Sequence, residues 1–187
     1  MRSVLAIGVL VVFGVVSGVR ADEPSAMGVA GTSAPEIAKP ETIPHSARLG
    51  LPIAGEVPAA WLPWVDNAAL IVDDEVNPPP CKSLRYGRGM DLRAPASGGR
   101  WIDVPAGRDQ PGGRLWVMDV VSPSALGLRL HLTGLDLPPG ASIVVYAPSA
   151  PEQIFGPYED VGPVGDGQVW SPTIWSGTVR VECFVPE

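Results

Sequence analysis

The chain has 187 residues, a formal net charge of -7, and 22 glycines and 22 prolines. The length suits one domain with its own hydrophobic core, and this much glycine and proline favours short strands joined by turns over long helices. The acidic balance argues against nucleic acid or an anionic membrane as a partner, because both repel a negatively charged surface.

The first residues have the pattern of a secretory signal peptide. Arg2 supplies a positive charge, an apolar run extends over 4–19, and Ala21 is followed by polar residues. This pattern predicts a signal peptide over 1–21 and a secreted or periplasmic protein with no membrane attachment after cleavage. The alternative is an uncleaved anchor helix, and the run is short for a bilayer span. We therefore favour cleavage after Ala21.

Two further regions follow the signal peptide. Residues 22–60 are rich in proline, alanine, serine and glycine and show little periodicity, which predicts a disordered, flexible leader. The folded domain is predicted over 61–187.

The domain begins with a helical pattern. Val65, Ala68, Ala69 and Val72 have helical spacing, and Asp66 can cap the first turn, so a short helix is expected here. The acidic run over 73–75 lacks the spaced ligands of a calcium loop. It indicates a solvated helix end rather than a metal site.

Three later segments, 126–132, 142–146 and 178–185, have the pattern of β-strands. The first and last alternate apolar and polar residues with a period of two, as a half-buried strand does. The middle one is apolar almost throughout, which fits a strand covered on both sides or one whose outer face is hidden by a loop. Turn residues bound each segment. The predicted fold class is all-β, a two-layer antiparallel β-sandwich of jelly-roll type.

The alternation also assigns faces to side chains. We expect these residues to be buried: Leu128, Leu130, Val179 and Val181. We expect these to be at least partly exposed: Arg129, Arg180 and Glu182. Further strands are predicted over 84–87, 90–92 and 101–105. A long loop is predicted over 148–167, where proline, glycine and acidic residues dominate.

The chain offers little for catalysis or metal binding. His45 lies in the predicted leader and His131 points outward from a strand, so no base is placed beside a nucleophile. The cysteines and histidines lack the spacing of a zinc site, and no carboxylate pair has a fixed geometry. The sequence therefore predicts no catalytic residue, no metal site and no cofactor.

Cys81 and Cys183 have two interpretations that the sequence leaves open. An exported protein meets an oxidising compartment, so the two cysteines are a candidate disulfide. Cys183 also falls on the inward face of its strand, where a free cysteine behaves as a small hydrophobic residue.

Tryptophan is the unusual component, with six residues against three tyrosines and three phenylalanines. We expect Trp101, Trp116 and Trp170 to fill the core. Trp175 stands beside a Ser-Gly turn and is the best candidate for an exposed binding contact.

A series of short motifs in fixed order resembles one known family. The motifs are Val65-Asp66, Leu84-Arg85-Tyr86-Gly87, Gly99-Arg100-Trp101, Gly113-Arg114-Leu115-Trp116, Ser122-Pro123-Ser124-Ala125, Leu137-Pro138-Pro139-Gly140-Ala141, Val145-Tyr146, Phe155-Gly156-Pro157-Tyr158, Val169-Trp170-Ser171-Pro172 and Val181-Glu182 with Val185-Pro186. Over roughly 64–186 the chain resembles the non-catalytic N-terminal region of secreted bacterial trypsin-like serine peptidases of the lysyl-endopeptidase type.

The resemblance implies a pro- or accessory domain that acts on the folding, secretion or latency of a peptidase. The chain ends at Glu187, where the peptidase domain would begin, so we expect a fragment or a split gene product, and no catalytic residue carries over. Cys183 stands where the family usually has an aliphatic residue. Phe155 and Tyr158, in the predicted acidic loop, are candidate anchors for a basic or polar protein surface. The alternative for Phe155 is that it packs under the rim of the sandwich.

Two hypotheses for function result. The first is a non-catalytic N-terminal domain of an exported trypsin-like peptidase, with that peptidase domain as its partner. The second is a free-standing exported β-sandwich that binds a glycan or a protein, with Trp175 in the contact.

Overall fold

The computed structural model describes residues 6–12, 42–53, 55–77, 87–92, 96–108 and 110–187. The described chain is mostly β. Its elements in chain order are β1 (Ala6–Val12), α1 (His45–Arg48), β2 (Ala59–Trp61), α2 (Asn67–Val76), β3 (Gly87–Leu92), a 3-10 turn (Ala96–Gly98), β4 (Arg100–Val104), β5 (Gly113–Val121), β6 (Gly127–Thr133), β7 (Ser142–Ala147), β8 (Ala150–Glu159), β9 (Gln168–Trp170) and β10 (Thr178–Pro186). None of the described helices is long and apolar enough to cross a membrane.

The strands form two sheets. The four-stranded sheet has the order β3-β1-β6-β9, and its pairs are antiparallel. The six-stranded sheet has the order β2-β5-β10-β7-β8, with β4 also on β5. Strands β4 and β2 share one edge of β5, because β4 pairs with 113–117 and β2 with 119–121. The β2–β5 pair is parallel, and the other pairs of this sheet are antiparallel.

One hydrophobic cluster contains side chains from both sheets. The four-stranded sheet contributes Leu128, Leu130, Leu132 and Val169, and the six-stranded sheet contributes Met118, Val120, Ile143, Val145, Val179 and Val181. The alternation in 126–132 and 178–185 therefore predicted the inward faces correctly for the four residues expected to be buried. Each is fully buried.

The opposite face of the six-stranded sheet is covered as well. Leu115 and Phe184, which pair across β5 and β10, pack there against Leu49 and Val104 in a second small core. Leu49 belongs to the segment 42–53, which we call the N-terminal arm. The prediction of a disordered leader is wrong for this segment, because Leu49 is buried and Leu51 packs against the same small core. Residues 22–41 lie outside the described part of the chain.

Strand β7 is buried along its whole length, as its apolar sequence predicted. Its two faces are covered by different parts of the molecule. Val145 contributes to the core shared by the two sheets, and Ser142 and Tyr146 lie beneath the N-terminal arm.

The predicted long loop over 148–167 is wrong in its first half. Residues 150–159 form β8, which pairs with β7 through contacts such as Val145 with Phe155. The pairing is irregular, with register shifts, and Gly156 has a φ of 107°. Prolines, a glycine and acidic residues hide the strand in the sequence, because they interrupt the alternation that marks a strand.

The predicted short helix is confirmed as α2. The Asp66 carboxylate accepts a hydrogen bond from the Ala69 N–H at 3.0 Å, which is the expected N-terminal cap. None of the helix's own side chains is buried, and Ile71, Val72 and Val76 are exposed. Of the other predicted strands, 90–92 lies in β3 and 101–104 in β4, whereas 84–86 falls outside the described residues.

Strand β1 bears on the predicted signal peptide. It lies between β3 and β6 and pairs with both along its full length. The rest of the predicted signal segment is outside the described residues, so its cleavage stays a prediction. Cleavage after Ala21 would remove β1 and leave an open strand position between β3 and β6.

Removal of residues 1–21 is therefore expected to weaken the protection of β6. Hydrogen exchange of the full chain and of a chain that begins at Asp22 tests this. We expect faster exchange of amides in 127–133 in the shortened chain, because an unpaired strand edge opens more readily. Amides of β10, which pairs with β5 and β7, are the internal control. Equal protection of β6 in both chains would contradict the prediction.

Candidate binding face on the four-stranded sheet

The outward side of β6 carries the candidate site. Leu128, Leu130 and Leu132 face the core, so Arg129 and His131 face outward, as their alternation predicted. His131 pairs with Trp170 of β9, and paired residues of an antiparallel ladder point to the same side. Arg129, His131 and Trp170 therefore share the outer surface of this sheet.

Arg129 and His131 each contact Trp170. The His131 and Trp170 rings stack with centroids 4.1 Å apart and planes 5° from parallel. The Arg129 guanidinium carbon lies 5.3 Å from the Trp170 ring centroid, and Arg129 Nε donates to the Ser171 carbonyl at 2.8 Å. His131 Nε2 is 3.0 Å from Gln168 Oε1. Stacking and hydrogen bonds thus hold Trp170 in place while 46% of it stays exposed.

Trp175 extends this surface along β6. The neighbouring Ile174 is buried and forms a bridge with Leu128, so Trp175 faces outward. A Cβ atom added to Gly127 would lie 3.2 Å from Trp175 Cε3, so the indole covers the part of β6 that has no side chain. Trp175 is 64% exposed. Its predicted exposure is confirmed.

We call the surface formed by Arg129, His131, Trp170 and Trp175 the aromatic face. Indole rings stack on the apolar faces of sugar rings, and arginine and histidine donate hydrogen bonds to hydroxyl oxygens. Exposed tryptophan and arginine are also the residues that most often anchor protein partners. The chemistry of this surface is therefore suited to binding.

The other tryptophans divide between core and surface. Trp116 is buried, as predicted. The prediction was wrong for Trp170 and Trp101, which are 46% and 37% exposed. Trp101 lies opposite Trp116 but on the edge strand β4, where the Arg114 guanidinium carbon is 4.6 Å from its ring centroid.

Phe155 and Tyr158 lie on β8 of the other sheet, away from the aromatic face. They pair with Val145 and Ile143, and both are half-buried against the shared core. Burial raises the pKa of the Tyr158 hydroxyl. This placement favours the alternative in which Phe155 packs under the rim of the fold. A role for the two residues in binding a partner stays a prediction.

A buried polar network lies on the opposite face of the six-stranded sheet. Glu182 is fully buried, and the prediction that it is exposed is wrong. Its carboxylate accepts hydrogen bonds from Ser46 N–H at 2.9 Å, Ser46 Oγ at 2.7 Å and Tyr146 OH at 2.6 Å. Burial, followed by the hydrogen bond to Glu182, raises the pKa of Tyr146. The alternation gave Glu182 the correct face, and the N-terminal arm covers that face.

Arg180 lies on the same side of β10 as Glu182 and forms an ion pair with Asp119. Its Nε and one terminal nitrogen donate to the two carboxylate oxygens of Asp119 at 2.7 and 2.9 Å. The Arg180 side chain is 17% exposed, which agrees with the predicted partial exposure.

His45 anchors the arm beside this network. Its Nε2 lies 3.1 Å from the Ser142 carbonyl oxygen, and Arg48 donates to its Nδ1 at 3.2 Å. Burial, and next the charge of Arg48, lower the pKa of His45. The prediction that His45 lies in a disordered segment is wrong, since the residue is 4% exposed.

The lowered pKa makes folding pH-dependent. The unfolded chain binds a proton at His45 below its ordinary pKa of 6.5, and the folded chain binds it only at lower pH. The contribution of His45 is therefore complete above pH 6.5 and is lost as the pH falls through the folded value. We expect the free energy of unfolding, measured in urea at pH 7.5, 6.5 and 5.5, to fall more steeply in the parent than in His45→Gln. Equal slopes in the parent and His45→Gln would contradict the prediction.

Cys183 is buried, and burial raises the pKa of its thiol to about 12. Cys81 lies outside the described residues, so the disulfide stays a prediction. Among the described residues, no cluster of histidine, cysteine or acidic side chains is arranged to hold a metal ion.

Comparison with models of protein families, with curated proteins and with solved structures finds no match to this chain.

Proposed function

We propose that the chain folds as a two-layer, jelly-roll-like β-sandwich and is a non-catalytic N-terminal pro- or accessory domain of an exported trypsin-like serine peptidase. The shared core between the two sheets supports the sandwich. The resemblance to the peptidase N-terminal region supports the association, and the observation that carries it is the order of the motifs along 64–186.

Four pairs of motifs are in contact. The Val65 N–H donates to Ser124 Oγ at 3.1 Å, which joins the first motif to the serine-proline motif. Phe155 pairs with Val145. The remaining two pairs each include a glycine.

The glycines of two motifs lie against other motifs. A Cβ atom on Gly99 would overlap the indole of Trp116, and one on Gly140 would lie 3.1 Å from Pro186 Cγ. Gly140 also has a φ of 79°, which favours glycine. The residues that carry the resemblance thus form contacts that support one fold.

The contacts of the two histidines support a role in binding a peptidase and not in catalysis. Both histidines are already held by other groups, His45 by the Ser142 carbonyl and His131 by Trp170 and Gln168. In this proposal the chain binds its peptidase and does not itself hydrolyse substrate. The purified chain should leave lysyl and arginyl esters uncleaved. Turnover that persists through repurification and is lost in His131→Ala would overturn this part.

The experiment that tests the association starts from the coding DNA. Sequencing beyond codon 187 should reveal an in-frame or adjacent trypsin-like domain with its own histidine, aspartate and serine. That domain, supplied on a separate chain, should bind the present chain and refold in higher yield with it than without it. The proposal would be overturned by an unrelated neighbouring gene. It would also be overturned by a peptidase domain that does not bind the chain and does not refold in higher yield with it.

A second candidate function is a binding module for glycans, and the aromatic face favours it. Glycan-array binding by the parent and by Trp170→Ala and Trp175→Ala tests it. Loss of one stacking ring should weaken binding by about tenfold or more. Trp64→Ala is the matched control, because Trp64 is 67% exposed but lies outside the aromatic face. Absence of glycan binding, or equal loss in the control, would reject this function.

A further inference from the structure

A separate cavity lies between the N-terminal arm and the loop over 105–112. Its volume is about 460 Å³. Leu49, Pro111 and Phe184 give it apolar walls, while Arg48, Arg108 and Gln110 bring polar groups to it. Hydrophobic walls with a few convergent polar groups are the usual composition of a small-molecule site.

The two arginines give the described lining of the cavity a positive charge. No acidic side chain is among the described residues that line it, although the whole chain carries a net charge of -7. Guanidinium groups bind carboxylates through paired hydrogen bonds, and they do so best where part of the surrounding surface is apolar.

One arginine is oriented by contacts at the edge of the cavity. A terminal nitrogen of Arg48 donates to His45 Nδ1 at 3.2 Å, and its guanidinium carbon lies 5.6 Å from the Phe184 ring centroid. The lowered pKa of His45 keeps its ring neutral near pH 7, so Nδ1 can accept this hydrogen bond. The contacts hold Arg48 next to the apolar floor formed by Phe184.

The loop that carries the second arginine is closed by its own backbone. The Gly107 N–H donates to the Gln110 carbonyl at 3.0 Å. A Cβ atom on Gly112 would lie 3.1 Å from the Ala106 nitrogen, so the two ends of the loop pack closely. Arg108 is therefore presented from a short turn.

We propose that this cavity binds a small organic anion, a carboxylate attached to an apolar or aromatic group. The carboxylate pairs with Arg48 and Arg108, and the apolar group rests on Leu49, Pro111 and Phe184. The site is independent of the aromatic face and of the peptidase association.

Benzoate is the probe, and the titration is followed by NMR through the backbone amides of Gly107 and Gln110. Benzamide has the same shape without the charge, and inorganic phosphate has the charge without the apolar group. We expect saturable shifts with benzoate and much weaker shifts with the other two probes. Equal binding of benzamide, equal binding of phosphate, or no saturable shift with benzoate would each overturn the proposal.

Variants locate the binding site. Arg108→Gln should weaken benzoate binding by about tenfold, because one charged hydrogen-bonding partner is lost. Arg88→Gln, an exposed arginine of β3, is the matched control and should bind as the parent does. Unchanged affinity in Arg108→Gln would place the anion elsewhere and overturn the proposal.

Discussion

Replacement of Glu182 by glutamine is expected to lower the free energy of unfolding by about 3 kcal/mol, because it disrupts a buried acceptor of three hydrogen bonds. The Glu182 carboxylate accepts from the backbone and hydroxyl of Ser46 and from the hydroxyl of Tyr146. A glutamine keeps the shape, but its side chain has one acceptor oxygen and cannot accept all three of these hydrogen bonds. The residue is fully buried, so bulk solvent cannot replace the lost hydrogen bond.

Urea denaturation at pH 7.5 measures this effect. Glu152→Gln is the matched control, since Glu152 is an exposed acid of β8, and its change should stay within about 0.5 kcal/mol. Tyr146→Phe removes one of the three donors and should cost about 1–1.5 kcal/mol. Equal stability of Glu182→Gln and Glu152→Gln would contradict the network.

The same substitution should release the N-terminal arm. Ser46 is held to the sheet by Glu182 and His45 by the Ser142 carbonyl, so the arm depends on polar contacts as well as on Leu49. Hydrogen exchange of 45–51 should therefore accelerate in Glu182→Gln. Unchanged exchange of the arm, together with lower global stability, would show that the network supports the sheet and not the arm.

Substitution of Gly99 by alanine is expected to lower the free energy of unfolding by about 2–3 kcal/mol through overpacking. The added methyl group would overlap the indole of Trp116, which is 2% exposed and belongs to the shared core. The ring can move only by displacing other core side chains, because protein interiors are close-packed.

Gly89→Ala is the matched control for this prediction. Nothing lies within 4 Å of a Cβ atom at Gly89, so its change in free energy should be within about 0.5 kcal/mol. Near-UV circular dichroism gives a second readout, since a displaced Trp116 should alter the aromatic signal of Gly99→Ala and not that of Gly89→Ala. Equal stability of the two variants would mean that the Trp116 ring does not pack on Gly99.

Part of the candidate site was predictable from local sequence. The outward positions of Arg129 and His131 follow from the alternation of β6, and the exposure of Trp175 follows from the turn beside it. The exposure of Trp170 was missed. The side of the sheet on which Trp170 lies is set by the pairing of β9 with β6. These segments are about 40 residues apart, and no local sequence pattern specifies their pairing.

No pattern in the sequence predicted the cavity that we propose to bind an anion. It forms where the N-terminal arm meets the loop over 105–112 and the end of β10, three segments that are far apart in the chain. Arg48 and Arg108 have no shared spacing or motif. Their proximity exists only in the folded molecule.

The sequence by itself determined the mostly β composition, the core-facing side of β6 and β10, the buried character of β7 and the cap of α2, since these depend on the period of two in a strand and on hydrogen bonds between neighbouring residues. The tertiary structure alone decided which surfaces meet water. Glu182 and Arg129 both occupy outward positions of alternating strands, yet Glu182 is buried and Arg129 is partly exposed. The difference is the N-terminal arm, which reaches Glu182 from 136 residues away and replaces water with Ser46. Alternation tells one face of a strand from the other, but what covers a face depends on long-range packing.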